Sequence, residues 1–208
     1  TRSPGGAVHK RSMLRTTKAL FSFAAKKKYV PQNPISATLP KAIPSKPSIL
    51  RPQEWRNLLL AALACEKEER LLGYAVLGLY CGLRPESELL RLKWADVHIK
   101  DGFVHIDDDK TKTAFGRHVT LPEAAKEWLL RCHRRQGFVA DPRNFRRRWT
   151  RLREQAGVLD TWRPDVMRHT FASLHYGKYR DKQLVRNELG HADEAMLRHY
   201  VNNGTRIG

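Results

Sequence analysis

TWRPDVMRHTFASLHYGKYRDKQLVRNELGHADEAMLRHY, residues 161–200, is the stretch on which the reading of the chain turns. It carries Arg168 in MRHTFAS, His191 directly after Gly190, and Tyr200 nine residues beyond that histidine. Its pattern predicts three helices, over 166–176, 182–189 and 193–200. An arginine and a histidine donate hydrogen bonds that suit a phosphate, and a phenol can attack the phosphorus as a covalent nucleophile. A tyrosine near a chain end is ordinarily a packing residue, and Tyr176 and Tyr179 lack the Gly-His context that sets Tyr200 apart.

Upstream, residues 142–156 read as a helix studded with Arg143, Arg146, Arg147, Arg148 and Arg151. Between 131 and 153 there are nine arginines, one aspartate (Asp141) and no lysine. Arginine in place of lysine favours bidentate phosphate contacts over mere solubility. Phe145 and Trp149 in the same segment are core anchors, because one face of this helix must be buried. Pro122 opens a helix to about 135 with Ala125, Trp128 and Leu129 on one face.

From 97 to 121 the period changes to two. VHI, FVHI and RHVTL are short alternating runs with a turn at Asp101-Gly102, which predicts a small antiparallel sheet. The polar loop DDDKTKTAFG between the second and third runs carries Lys110 and Lys112. Before the sheet, helices are expected over 52–64, through the apolar run LLGYAVLGLYCGL, and over 87–93, with a break at Gly82-Leu83-Arg84-Pro85. The fold class that follows is mainly α with a small antiparallel β-sheet, an α+β domain.

The beginning of the chain differs in composition. Residues 1–53 hold eleven lysines and arginines and no acid. A helix over 7–29, with Met13, Leu14, Leu20, Phe21 and Ala24 at helical spacing, closes on Lys26, Lys27 and Lys28, where cations suit the dipole. Six prolines between 30 and 52 then rule out regular structure and predict an extended linker. The expected organisation is a helix from an incomplete domain over 1–30, a basic linker over 31–51, the main domain over 52–201, and a short tail over 202–208. Thr1 as first residue predicts that the chain is a piece of a longer protein.

Of 208 residues, 41% are hydrophobic, enough for a core, and the net charge of +18 points to a polyanionic partner, nucleic acid above all. No apolar run approaches the ~20 residues of a membrane span. Cys65, Cys81 and Cys132 have neither a zinc spacing nor an even disulfide framework, which fits a reducing cytoplasm. Cys65 and Cys81 fall in apolar helical patterns and read as buried packing residues.

MRHTFAS, LGH and the tyrosine nine residues on resemble the C-terminal signature of the tyrosine recombinases, the phage-integrase family. The resemblance runs over about residues 50–201. CGLRPESELLRLKWADV supplies Gly82, Leu83, Arg84, Glu88, Leu89, Leu92, Trp94 and Asp96 of the family's first box. The gap from Arg84 to Trp94 is one residue longer than the family pattern, to be absorbed by a bulge or a longer turn. Arg84 also reads as a helix cap or an ion-pair partner of Glu88. The family lysine matches Lys112, with Lys110 as the alternative. LFSFAAKKKYVPQNP resembles the end of the family's core-binding domain, which grips DNA.

The resemblance implies DNA strand cleavage and rejoining through a 3′-phosphotyrosine, with no metal and no cofactor. Arg84, Arg168 and His191 would hold the phosphate, Tyr200 would attack, and Lys112 would protonate the departing 5′ oxygen. Asp165 stands where the family has a histidine; it is either the proton acceptor, or a residue that only orients Arg168 or caps the helix beginning near 166. The implied partners are double-stranded DNA and further protomers on paired sites, with no membrane, in a prokaryotic cytoplasm among nucleoid DNA. A DNA-binding module of the same fold without catalysis, and a relaxing topoisomerase of related chemistry, are the alternatives.

Overall fold

The computed structural model describes residues 7–39, 48–107 and 116–190. It forms two compact units, Thr1–Lys46 and Pro47–Gly208. In the first, α1 (Ala7–Lys26) ends in Lys26 and is followed by Lys28 in a left-handed conformation, φ 60°. Asn33 donates to the Lys18 carbonyl (3.0 Å) and to Ser22 Oγ (2.9 Å), and Lys18 Nζ donates to the Ala37 carbonyl. The start of the proline-rich segment thereby runs back along α1. Met13 and Leu20 are exposed, so only part of the expected apolar stripe is covered.

The second unit is built around α4 (Leu72–Tyr80), in which every residue from Leu72 to Leu79 is buried. A helix hydrophobic all round belongs in a core. Against it lie α2 (Pro52–Ala64), α5 (Glu123–Leu129) and α7 (Val166–Tyr179). Leu58, Leu59, Leu72 and Leu77 are fully buried, worth about 1.5–3 kcal/mol each. The short α3 (Glu66–Glu69) turns the chain, and Glu66 takes the Leu72 N–H (2.9 Å) at the positive end of α4. Further on, α6 (Phe145–Gln155) buries Phe145, Trp149 and Leu152, as the sequence required. Cys81 and Cys132 are buried, but Cys65 is only half-buried, because it sits where α2 hands over to α3.

The sheet is antiparallel, in the order β1 (Val97–His98), β2 (Phe103–Ile106), β3 (Arg117–Thr120). Val97, Val104 and Val119 are opposed and buried on its inner face. On the outer one Phe103 stacks on His98 and His118, and His105 meets His118 edge to face. The loop carrying Lys110 and Lys112 lies outside the described residues.

Two helix expectations change. The segment expected as a helix over 87–93 is a π-helical turn, Pro85–Leu89, in which the Leu89 N–H reaches the Arg84 carbonyl at 2.9 Å. A π turn holds one more residue than an α turn, the room an extra residue between Arg84 and Trp94 needs. The helix expected to 135 stops at Leu129. Beyond it, Gly137–Val139 pairs with Leu92–Trp94, the Trp94 N–H on the Gly137 carbonyl and the Val139 N–H on the Leu92 carbonyl, both 2.9 Å. That pairing outweighs the helical pattern. Finally α8 (Lys182–Leu189) is capped by Asp181, whose side chain accepts from the Gln183 and Leu184 N–H groups. No described helix is long and apolar enough to cross a membrane.

Candidate active site

The site begins at Gly82, where α4 has ended. Its φ of 61° is left-handed, and a Cβ there would stand 2.3 Å from the Phe171 ring. Only glycine lets the chain turn this close to α7, and the turn delivers Arg84 to the edge of the core.

Glu88, in the π-helical turn, is completely buried and fully hydrogen-bonded. Its Oε1 accepts from Arg84 Nη1 (2.8 Å) and Arg117 Nη1 (2.9 Å). Its Oε2 accepts from the Arg84 backbone N–H (2.9 Å) and Arg117 Nη2 (3.1 Å). Burial works to raise the carboxyl's pKa, but the hydrogen bonds and charges of Arg117 and Arg84 outweigh it, so the pKa lies below the ordinary glutamate value. The ion pair with Glu88 and the cap position ahead of the turn, both expected for Arg84, are both present.

Arg168, buried in the first turn of α7, donates from Nη1 to the Gly82 carbonyl and from Nη2 to the Leu189 carbonyl, both at 2.6 Å. Arg84 Nη2 donates to the Gly190 carbonyl (3.1 Å), and Arg117 Nε reaches the Glu188 carbonyl (3.4 Å). Three consecutive carbonyls at the C-terminal end of α8, residues 188, 189 and 190, thus each receive a different arginine. Unsatisfied carbonyls and the negative end of the dipole make that end a natural seat for cations. Thr120 adds a tie from β3, its Oγ1 donating to the Glu188 carboxylate (2.9 Å). Arg84 and Arg117 share the buried Glu88 carboxylate, and Arg168 meets them at the same end of α8, so three guanidinium groups gather beside the residue that leads into position 191.

The structure therefore brings Arg84 and Arg168 together, as the sequence led one to expect. His191, Tyr200, Lys112 and its alternative Lys110 lie outside the described residues. Asp165 does precede α7, but with φ 58°, an exposed side chain and no side-chain cap hydrogen bond, so it is no cap in the expected sense. Its backbone carbonyl accepts from the His169 N–H, and His169 itself is buried.

Among the basic candidates, Lys26, Lys27, Lys28, Arg146 and Arg147 are exposed. Arg148 is not a surface group; both its Nη atoms donate to backbone carbonyls, of Glu69 and Asp141. Arg151 is paired with Glu69 (2.7 Å), and Arg143 with Asp141 (2.7 Å), whose carboxyl that hydrogen bond holds at about 2. Of these three, Arg148 fastens α6 to the segments before it, whereas Arg143 and Arg151 make their ion pairs at the surface.

Arg117 was missed in the sequence. The signal was there: in RHVTL it shares the core-facing register with Val119, and an arginine at an inward position of an alternating strand needs an internal acid. An apolar cavity of about 520 Å³ nearby, lined by Trp55, Phe171, Leu174 and Tyr179 among others, contains none of the three arginines and is not the anion site. Among the described residues no group of three or more His, Cys, Asp or Glu gathers as a metal site.

The phage integrase family model matches residues 48–206. Tyrosine recombinase XerD of Oceanobacillus iheyensis is 30% identical over 182 residues, covering 78% of this chain and 60% of the relative, so the chain spans about 60% of that protein's length. Among solved structures, lambda integrase bound to DNA superposes with a TM-score of 0.69 at 21% identity, over 97% of this chain and 76% of that one. XerH site-specific recombinase, bound to a palindromic difH substrate, gives 0.69 at 22% identity, over 98% and 66%. XerA recombinase gives 0.60 at 24%, over 95% and 74%. At these identities the structural likenesses speak for the fold: a mainly helical domain with a three-stranded antiparallel sheet.

Proposed function

This chain belongs to the phage integrase family, and from that premise we propose that it acts as a tyrosine site-specific recombinase, cutting and rejoining double-stranded DNA through a 3′-phosphotyrosine. The observation that carries the reading is the convergence of Arg84 and Arg168, 84 residues apart in sequence, on the adjacent carbonyls of Gly190 and Leu189. Guanidinium groups held by their inner edges present the outer ones to a phosphate, where they stabilise the charge of a five-coordinate transition state. In this reading His191 donates to the same phosphate and Tyr200 attacks it.

Asp165 takes the phenol proton, and Lys112 returns one to the 5′ oxygen as the bond breaks. The phosphodiester energy stays in the tyrosyl ester, and a second 5′ hydroxyl reverses the step. No metal or cofactor enters this chemistry. Arg146 and Arg147 on α6, with Lys26, Lys27 and Lys28 after α1, hold backbone phosphates, and further protomers occupy paired sites. The setting is a reducing prokaryotic cytoplasm with access to nucleoid DNA.

The experiment is a denaturing gel of the chain with nicked duplexes of randomised core sequence. The wild type is expected to form a covalent adduct that maps to Tyr200, and Tyr200→Phe to form none while still binding DNA. An adduct that persists in the variant, or maps to Tyr176 or Tyr179, overturns the assignment. Binding without any adduct favours the DNA-binding module, and relaxation of any supercoiled plasmid favours the topoisomerase.

A further inference from the structure

We infer that Arg117 is a positioning residue that acts on Arg84 through Glu88, keeping the Arg84 guanidinium available to the substrate phosphate; the inference rests on the recombinase reading above. An ionised carboxylate has about four acceptor sites. At Glu88 all four are filled, two by Arg84 and two by Arg117. Because Arg117 occupies its share, Arg84 gives Glu88 only one guanidinium nitrogen, and its Nη2 stays turned to the Gly190 carbonyl.

Take Arg117 away and half the acceptor capacity of a completely buried carboxylate is empty. Such a state is strongly disfavoured. The donor best able to fill it is the other nitrogen of Arg84, whose planar fork matches a carboxylate two bonds at a time. Arg84 would then turn inward and leave Gly190. Arg117 spends three of its five N–H groups inside the fold, two on Glu88 and one on the Glu188 carbonyl, and is assigned no phosphate of its own. It holds back a carboxylate that would otherwise capture the working arginine.

The inference is tested with a double-mutant cycle on the full chain, using the nicked duplex that the wild type cleaves best. Arg117→Met is expected to slow single-turnover adduct formation at least tenfold while changing DNA affinity less than threefold. Adding Glu88→Gln removes the charge that draws Arg84 inward, so E88Q/R117M is expected to recover at least half of the logarithmic loss. A purely structural Arg117 predicts the reverse, a double variant slower than either single one. Wild-type cleavage by R117M, or a double variant no faster than R117M, overturns the inference. If R117M does not fold, Arg117→Lys, which keeps the charge but offers a single nitrogen where the guanidinium offered two, takes its place and is expected to slow adduct formation, with Glu88→Gln added recovering at least half of the logarithmic loss; a rate equal to the wild type counts against the inference. Side-chain ¹⁵N signals of Arg84 supply a readout that does not depend on cleavage. They are expected to shift in R117M and to return toward wild type in E88Q/R117M. A chain that forms no adduct at all defeats the recombinase reading, whereas unmoved Arg84 signals defeat this one.

Discussion

Arg168 and Leu189 are joined by a 2.6 Å hydrogen bond that spans 21 residues and fastens the start of α7 to the end of α8. The same guanidinium holds the Gly82 carbonyl, so one side chain clamps three segments of the site. Lysine cannot span both carbonyls, because it is a point charge on a flexible stem. Arg168→Lys is expected to lose about 1.5–3 kcal/mol, the worth of one hydrogen bond to a charged group. Thermal denaturation measures the loss, and an unchanged melting temperature would show that the clamp carries no stability.

The acid limb of the stability curve should report Glu88. Its folded-state pKa is lowered, so its contribution is fully present above the unfolded value of about 4.3 and is lost as pH falls through the lower folded value. Melting temperature followed downward from pH 5 is expected to fall more steeply for the wild type than for Glu88→Gln, which has no proton to gain. Parallel curves for the two proteins would sever the link between this carboxylate and acid stability.

Neighbouring arginines on α6 are expected to behave as different kinds of residue. Arg146→Ala and Arg147→Ala should each reduce the log–log salt slope of DNA binding by about 0.9, with little change in stability. Arg148→Ala should instead destabilise the fold by about 1.5–3 kcal/mol, since it frees the carbonyls of Glu69 and Asp141. Titrations at several salt concentrations, paired with melting curves, separate the two. A salt-slope change in Arg148→Ala without loss of stability would contradict the assignment.

Asp165 allows stability and chemistry to be uncoupled. Its left-handed backbone is tolerated by asparagine but disfavours a β-branched residue, and its exposed side chain makes no cap bond. Asp165→Asn is expected to stay within about 0.5 kcal/mol of the wild type, and Asp165→Val to lose about 1–2 kcal/mol. In adduct formation Asn should cost ~10²-fold or more and His should restore the rate, as a proton acceptor requires. Wild-type cleavage by Asn would remove Asp165 from the chemistry.

The helical core and the sheet were legible because each reports its own period: the run from Leu72 to Leu79 is apolar all round, and Val104 and Val119 alternate with His105 and His118. Arg84 and Arg168 were legible from the residues beside them, Gly82-Leu83 before the first and the run MRHTFAS around the second. What local pattern does not encode is partnership. Arg148 shares the helix face of Phe145, Trp149 and Leu152, unlike Arg146, but the carbonyls that receive it, those of Glu69 and Asp141, are not written in RRRW. The inward course of Arg117 likewise depends on Glu88, 29 residues earlier in the chain. The π-helical turn differs from both, because the extra residue between Arg84 and Trp94 had already called for a bulge or a longer turn.

The three carbonyls that close α8 have an entropic consequence. A free arginine has several rotatable bonds, and freezing a rotamer-rich side chain during association costs about 0.5–1.5 kcal/mol. In Arg84, Arg117 and Arg168 that ordering is accomplished when the domain folds, because backbone oxygens hold them before any ligand arrives. In the proposed reaction the phosphate would meet Arg84 and Arg168 as forks already fixed in orientation, and the affinity gained there need not be spent on arranging them.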